Sequence, residues 1–341
     1  MALPSFNCEN ICKDIYDSWG KPNHLIQLLV SPSQLECRKI RETYLRIYGV
    51  DPVHLLLQRN KDSSQGNEAG SLFSEKTLVG LSMLMLSPHE RDAVVAREAF
   101  EQGDSVNYKP LLEIFLCRKS SHVLLIQEAY YARFKKQLEQ DIISIDPSHP
   151  YQRILMALCA SHKALQTDVS QYIANFDARR LYKTGDENRG SVDEAVVLEI
   201  LSKRSIPQLR LTFSSYKHIY GHSYVHSLKK EKSGEFEDAL RVAVKCMSNP
   251  TKYYAEIMYE CIKGTRIDKD AVIRVILSRA EMDMDEIQRA FKKKYGLELK
   301  NAISESEAPG DYRELLIALA TKTATPSASS LRYSEPSSLL D

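Results

Sequence analysis

The stretch IQRAFKKKYGLEL, residues 287–299, has the outline of an amphipathic helix that the chain carries four times. In each copy an apolar residue precedes an aromatic residue, and a second aromatic residue follows four places later. Side chains four residues apart share one face of a helix, so each pair of rings predicts a buried helical face. The leading aromatic residues are Tyr44, Tyr130, Tyr216 and Phe291. We expect these four rings to occupy equivalent buried or half-buried positions.

An arginine precedes the leading aromatic residue at the same offset in three of the copies. These arginines are Arg118, Arg204 and Arg279, whereas the first copy has Pro32 at this place. A guanidinium group that recurs at one helical offset is suited to bind carbonyl oxygens or acids of a neighbouring helix. We therefore predict that the three arginines stabilise the fold inside each copy.

The apolar periodicity around these anchors predicts an all-α protein with about five helices in each of four repeats, and almost no alternating strand pattern occurs. Helices this short cannot bury their apolar faces within a single repeat, so we expect the repeats to pack against one another. The predicted segments are an N-terminal tail at 1–8, repeat one at 9–87 with a polar insertion near 60–70, repeat two at 93–161, repeat three at 171–247, repeat four at 252–321, and a disordered Ser/Pro-rich tail at 322–341.

Composition argues against several classes of protein. The 46 basic and 45 acidic side chains leave a net charge of +1, so no nucleic acid partner is expected. The seven cysteines include no CxxC pair, which favours a reducing, cytoplasmic location. The longest apolar runs fall short of a membrane span, so we expect any membrane association to be peripheral.

The sequence also offers little support for catalysis. It contains neither a G-x-x-x-x-G-K-[ST] phosphate loop nor a G-x-S-x-G elbow, and we predict that the protein is not an enzyme. His218, His222 and His226 are spaced four apart, as on the metal-binding face of a helix. Gly221 stands where the repeated helix ends in the other copies, so we expect this face to be broken there and the histidines to be scattered on the surface.

The repeats resemble those of annexins, and among them the plant members. The fourth repeat carries the resemblance in IKGTRIDKDAVIRVILSRAEMDMDEIQRAFKKKYGLELKNAI, which begins at Ile262, and HERDAVVAREAF joins the first repeat to the second. The resemblance covers nearly the whole chain. It implies that the four five-helix repeats form one curved, all-α disc whose convex face meets phospholipid.

The resemblance also implies calcium sites in the loops between helices. An annexin calcium loop has the form K-G-x-G-T, and an acidic residue follows it about forty residues later. Ca²⁺ takes six to eight oxygen ligands. The loop supplies backbone carbonyl oxygens, glycine eases the backbone conformation, the distant carboxylate supplies two more oxygens, and lipid phosphoryl oxygens can complete the shell. The implied function is calcium-assisted peripheral binding to anionic phospholipid membranes.

The family's loop positions carry over to this chain one repeat at a time. The candidate ligands are Ile262, Gly264 and Arg266 with the acid Glu307 in repeat four; Glu187, Arg189 and Ser191 with Glu231 in repeat three; Glu101, Gly103 and Ser105 with Asp146 in repeat two; and Tyr16, Ser18 and Gly20 with Glu68 in repeat one. No repeat keeps both loop glycines, so the resemblance implies degenerate sites that bind Ca²⁺ weakly or only together with lipid. We expect repeat four, which keeps Gly264 and the following DKD, to be the best site.

Two alternatives remain open at this point. The acids Asp146, Glu231 and Glu307 each stand before a predicted helix, where the helix dipole stabilises a carboxylate with no ion present. The whole protein is then a calcium-independent, annexin-like scaffold that acts through protein partners.

Trp19, the one tryptophan, lies in the first loop, and because indole partitions well to the lipid headgroup zone we expect it to contact the membrane.

Overall fold

The computed structural model of the protein describes residues 7–64, 73–101, 106–145, 149–163, 169–183, 192–228, 234–264 and 268–322. Those residues form twenty α-helices and no β-strand, which confirms the predicted all-α class with five helices in each quarter of the chain. The first ten helices are α1 (Cys8–Asp17), α2 (Pro22–Val30), α3 (Gln34–Tyr48), α4 (Pro52–Ser64), α5 (Glu75–Met85), α6 (Pro88–Glu101), α7 (Tyr108–Cys117), α8 (Ser120–Phe134), α9 (Leu138–Ile143) and α10 (Pro150–Lys163). The second ten are α11 (Gln171–Tyr182), α12 (Glu194–Lys203), α13 (Ile206–Tyr220), α14 (Tyr224–Ser227), α15 (Glu235–Ser248), α16 (Pro250–Lys263), α17 (Lys269–Arg279), α18 (Met284–Tyr295), α19 (Leu299–Ser306) and α20 (Asp311–Thr321).

The repeat boundaries remain predictions, although the helices fall close to them. Helix α6 begins at Pro88 and α16 begins at Pro250, in each case ahead of the predicted start of the repeat. Proline suits the first turn of a helix, because the N–H that it lacks has no partner there in any case. The predicted tails at 1–8 and 322–341 and the insertion near 60–70 fall largely outside the described residues.

The four leading aromatic residues form equivalent parts of the core. None of the rings is more than 1% exposed, which confirms that they are buried in like positions on α3, α8, α13 and α18. Each ring contacts the aromatic residue four places later, with ring centroids 4.6 to 5.2 Å apart. Burial of one such side chain stabilises the fold by about 1.5–3 kcal/mol, and the ring pair adds about 0.5–1.5 kcal/mol.

The three recurring arginines are paired with acids, as predicted. Arg118 donates to Asp92 of α6 at 2.6 Å, and Arg204 donates to Asp177 of α11 at 2.7 Å. In both cases the guanidinium group at the end of one helix reaches back to an acid on the preceding long helix. Arg279 differs, because it pairs with the nearby Asp283. Its guanidinium group also lies 4.7 Å from the ring centroid of the buried Tyr254 on α16, a cation–π contact where the other two repeats have an aspartate.

The chain divides into two compact units, residues 1–91 with 254–341 and residues 92–253. In the first unit, α2 packs on α20, and α5 packs on α17 and α20, so the two ends of the chain share one core. In the second unit, α10 packs on α7, α12 and α15, and α11 packs on α13.

All of the described helices are short. The longest, α3, α8 and α13, contain 15 residues, which corresponds to about 22 Å. The hydrocarbon core of a bilayer is about 30 Å thick. None of the described helices combines the length and apolar character needed to cross a membrane.

Candidate functional site

The loop between α16 and α17 is the candidate site that the structure describes best. Helix α16 ends where the Gly264 N–H donates to the carbonyl oxygen of Glu260 at 3.0 Å. A Cβ atom on Gly264 would lie 2.2 Å from that same oxygen, so the close approach of Gly264 to the last turn of α16 requires glycine.

The other positions of this loop are described only in part. The side chain of Ile262 is 3% exposed, so this residue can offer no more than its backbone carbonyl oxygen to a ligand. Arg266 and the neighbouring Ile267 lie outside the described residues.

The predicted acid of repeat four lies beside this loop. Glu307 follows α19 directly, and its N–H donates to the carbonyl oxygen of Ile303 at 3.0 Å. Its carboxylate accepts a hydrogen bond from the ammonium group of Lys269, with 2.6 Å between Nζ and Oε2. The Glu307 side chain is only 9% exposed, whereas that of Lys269 is 43% exposed. The fold thus places Lys269, the first residue of α17, against Glu307, which follows α19, and the calcium site itself remains a prediction.

Tyr312, on α20, contacts Lys269 at the start of α17. Its hydroxyl group donates to the carbonyl oxygen of Lys269 at 2.7 Å, and its ring centroid lies 5.9 Å from the Lys269 ammonium nitrogen. Burial raises the pKa of Tyr312 well above its usual value, and the negative charges of Glu307, Asp270 and Asp268 raise it further.

Three further charged residues described around the loop have partners. Asp268 caps α17 by accepting from the Ala271 N–H at 3.0 Å, and Asp270 pairs with Lys76. Lys263 pairs with Glu305 at 2.7 Å. Among the described residues, no group of three or more His, Cys, Asp or Glu side chains is arranged to hold a metal ion.

One group at this site, the Glu307 carboxylate, has the chemistry of a cation ligand. The carboxylate is a hard oxygen ligand, as Ca²⁺ prefers. The Lys269 ammonium group is a stand-in cation at this carboxylate, so the structure can accommodate a positive charge beside it. Lys269 is also the residue that sequence analysis missed. The residues five places after the first glycine position of repeats two to four, which holds Gly103, Arg189 and Gly264, are Tyr108, Glu194 and Lys269, and only the last carries a positive charge.

The loop of repeat one follows α1 and is described completely. The hydroxyl group of the buried Ser18 donates to the carbonyl oxygen of Asp14 at 2.5 Å. Tyr16 is 54% exposed, and its ring stacks on that of Tyr48 at 4.7 Å. A Cβ atom on Gly20 would meet no atom within 4 Å, so the structure places no steric demand for glycine there.

Trp19 is tied to the body of the protein. The indole N–H donates to the hydroxyl group of Tyr44 at 3.1 Å, and the guanidinium carbon of Arg59 lies 5.0 Å from the centroid of the indole ring. The side chain is half-buried. Its contact with a membrane remains a prediction.

The candidate ligands of repeats two and three mostly fall outside the described residues. This holds for Gly103, Ser105, Asp146, Glu187, Arg189, Ser191 and Glu231, as well as for Glu68 of repeat one. Glu101 is described and pairs with Arg97. The residues that flank the loops of repeat two do meet, since the ring of Tyr108 stacks on that of Tyr151 at 5.0 Å.

The three histidines do not share a helix. Helix α13 ends at Tyr220, and Gly221 follows with φ of +75°, so His218 lies on α13 while His226 lies on the short helix α14. The prediction that the helical face is broken at Gly221 is confirmed. His222 lies between the two helices, where its Nε2 atom is 3.1 Å from the hydroxyl oxygen of Ser227.

Comparisons with known proteins agree with the fold. The family model described as annexin matches residues 176–243 and 253–319. Annexin A3 of Homo sapiens is 34% identical over 314 residues, which cover 92% of each chain, and annexin A13 of Mus musculus is 31% identical over 295 residues, which cover 86% of this chain and 88% of its own.

Solved structures of related chains superpose over nearly the whole protein. The structure of annexin III matches with a TM-score of 0.80 and 31% identity, covering 94% of this chain and 95% of its own. A structure of chicken annexin V in complex with Zn²⁺ matches with a TM-score of 0.77 and 26% identity, covering 95% and 98%. The relatives named here come from animals, and the finer resemblance to plant members remains a prediction.

Proposed function

Because this chain belongs to the annexin family, known for calcium-dependent phospholipid binding, we propose that it binds peripherally to anionic phospholipid membranes through its interhelical loops, with calcium assisting. The observation that carries the proposal is the little-exposed carboxylate of Glu307, which lies beside the α16–α17 loop with a cationic group already on it. The protein acts by binding and not by catalysis, on the cytoplasmic face of a membrane.

The proposed calcium ligands come from the loops of all four repeats. When bound, calcium supplies a divalent bridge between protein oxygens and lipid phosphoryl oxygens. In repeat four the carboxylate of Glu307 and the carbonyl oxygens of Ile262, Gly264 and Arg266 hold the ion. The corresponding positions of the other repeats are Gly103, Ser105 and Asp146; Arg189, Ser191 and Glu231; and Tyr16, Ser18 and Gly20.

The proposed sites are degenerate, and their calcium affinity is accordingly low. No repeat keeps both loop glycines, so each loop lacks at least one residue that eases the backbone conformation of a calcium loop. A site with one carboxylate belongs at the weak end of the range for calcium, with a dissociation constant of about 10⁻⁴–10⁻³ M in the absence of lipid. Anionic lipid tightens binding, because it lends phosphoryl oxygens and raises the local concentration of Ca²⁺.

Co-sedimentation with phosphatidylserine vesicles tests the proposal. The wild-type protein should sediment more strongly as Ca²⁺ rises to about 1 mM and should be released by a chelator. Glu307→Gln removes the carboxylate charge and should lower the calcium-dependent part of binding several-fold. Glu305→Gln is the matched control, since Glu305 lies two residues earlier, on α19, is 56% exposed and pairs with Lys263 at 2.7 Å; this variant should bind like the wild type.

The same experiment decides between the proposal and the alternative. Equal sedimentation of the Glu307→Gln variant and the wild type excludes the carboxylate as a calcium ligand. Binding that ignores the chelator, or no binding at all, favours a calcium-independent scaffold that acts through protein partners.

A further inference from the structure

Lys269 occupies a position at which the other loops carry no cation. Counted from the first loop glycine position, the same place is taken by Tyr108 in repeat two and by Glu194 in repeat three. Tyr108 stacks on Tyr151, the counterpart of Tyr312, and Glu194 pairs with Arg153 at 3.1 Å. In repeats two and four, the residue at this position contacts the aromatic residue that opens the last helix of the repeat. Only in repeat four does it carry a positive charge.

Contacts of the Lys269 backbone and side chain place its ammonium group against Glu307. The backbone is fixed at both ends of the residue, because Asp268 caps α17 and the Lys269 carbonyl oxygen accepts from the Tyr312 hydroxyl group at 2.7 Å. The side chain passes near the Tyr312 ring, with 5.9 Å between Nζ and the ring centroid. Its Nζ atom then lies 2.6 Å from the Glu307 carboxylate. The ion pair joins two elements that are distant in sequence, so it depends on the tertiary fold.

The two partners of this ion pair are unequally solvated. Glu307 is 9% exposed and Lys269 is 43% exposed, so the carboxylate depends on its partner for compensation of its charge more than the ammonium group does. Leaving a shielded carboxylate unpaired is costly, because a charge removed from water must be balanced by a nearby opposite charge. Any other cation that binds Glu307 therefore competes with Lys269 for the same carboxylate.

We propose that Lys269 is a tethered competitor for calcium at Glu307, so that calcium binds repeat four only by displacing an ammonium group of the protein itself. This inference rests on the proposed function and adds a regulation of the same site. A tethered group competes at a high effective concentration, and its single charge is weaker than that of a divalent ion at the same distance. The ion pair thus keeps the site closed at low calcium and allows it to open at high calcium.

The two other described lysines near the loop do not provide this competition. Lys263 is paired with Glu305, and Lys76 is paired with Asp270. Lys263 also lies on the other side of the loop, at the end of α16, and its removal changes the net charge by the same amount as removal of Lys269. It therefore supplies a matched control.

The test is a calcium titration of the protein without lipid. Binding is measured by isothermal titration calorimetry and by the shift of the melting temperature. Lys269→Gln should lower the half-saturating Ca²⁺ concentration by about tenfold, the usual scale for groups that act on a metal ligand. Lys263→Gln should titrate like the wild type, and Lys269→Arg, which keeps the charge, should also do so. The double variant Lys269→Gln, Glu307→Gln should lose the gain in affinity.

Two outcomes overturn the inference. One is a Lys269→Gln variant that titrates like the wild type, and the other is an equal gain in Lys263→Gln, which would assign the effect to net charge alone. Circular dichroism verifies that each variant is folded. If Lys269→Gln does not fold, Lys269→Met replaces it, since the unbranched stem keeps its contact with the Tyr312 ring.

The titration separates this inference from the proposed function because it contains no lipid. A gain of calcium affinity in Lys269→Gln, together with a wild type that ignores phosphatidylserine vesicles, supports the competition and refutes membrane binding. Vesicle binding that depends on calcium, with no gain in Lys269→Gln, supports the function and refutes the competition.

Discussion

At the scale of single residues, the pairing of charges decides which side chains matter for stability. Asp177 is fully buried, and Arg204 compensates its charge with hydrogen bonds of 2.7 and 3.3 Å. These bonds raise the pKa of the Arg204 guanidinium group. By contrast, Arg38 and Glu42 form an i,i+4 pair at 2.9 Å in which both side chains are more than 60% exposed. The same chemistry therefore has very different consequences at the two sites.

We predict that Arg204→Met destabilises the protein by about 3–5 kcal/mol, because it leaves Asp177 buried without its partner. Methionine keeps most of the apolar stem, so the loss reports on the charge and not on packing. Arg38→Met, as the control, should cost less than about 1 kcal/mol. Urea unfolding followed by circular dichroism measures both values. Similar losses in the two variants would contradict a structural role for the recurring arginine.

At the scale of elements, the four repeated helices end alike but not with the same residue. The residues that follow α3, α13 and α18 are Gly49, Gly221 and Gly296, with φ between +69° and +75°. Lys135 follows α8 with φ of +56°, in the left-handed region that favours glycine. In each case the N–H of this residue donates to the carbonyl oxygen four residues earlier, at 2.8 to 2.9 Å. The cap geometry is thus common to all four helices.

We predict that Lys135→Gly raises the free energy of unfolding by up to about 1 kcal/mol, because it relieves the cost of a side chain in the left-handed region. The reverse change, Gly296→Ala, should destabilise by about 1 kcal/mol. A Cβ atom on Gly296 would meet no atom within 4 Å, so backbone strain and not a clash accounts for that loss. Thermal and urea unfolding measure both variants. Destabilisation by Lys135→Gly would show that the contacts of the lysine outweigh the strain.

At the scale of the whole molecule, stability depends on pH through carboxylates that bind a shared arginine. Arg41 on α3 donates to Asp51 at the start of α4, with a shortest distance of 2.8 Å, and to Glu90 on α6 at 3.3 Å. Burial acts to raise the pKa of Asp51, but hydrogen bonds from Arg41 and from the Val53 N–H outweigh it, so the pKa falls below 3.8. Burial likewise opposes the lowering of the pKa of Glu90 below 4.5, which hydrogen bonds from Ser87 and the charge of Arg41 bring about.

We predict that the stability that Arg41 contributes is fully present above about pH 4.5 and is lost as the pH falls through the lowered pKa values. The sign follows because the unfolded chain binds protons at these carboxylates more readily than the folded one. Arg41→Met should therefore be less stable than the wild type at pH 7, and the difference should shrink toward pH 3. Urea unfolding at several pH values measures this difference, with Arg38→Met as the control. A difference that stays constant with pH would refute the linkage.

The candidate site was predictable only in outline. Gly264 and Glu307 were selected from the sequence through its resemblance to the family's loop and distant acid, and the structure places Glu307 against Lys269, five residues after Gly264. The partner of Glu307 could not be selected, because a lysine at the first position of a helix is also typical of an exposed surface. Likewise, the position of Trp19 in a loop favoured an exposed ring, whereas a hydrogen bond to Tyr44 holds the indole half-buried.

The sequence by itself determined the helices of this protein, its four buried aromatic positions and the family to which it belongs. The helices and the buried aromatic positions follow from side chains three or four residues apart, whose common helical face is a local consequence of backbone geometry. The family follows instead from the resemblance of the repeats along the chain. The tertiary structure alone decided that Lys269 binds Glu307, that Arg279 turns to Asp283 and Tyr254, and that Trp19 binds Tyr44. The reason is physical, because periodicity along one helix carries no information about which charged or aromatic group the next packed helix will place beside it.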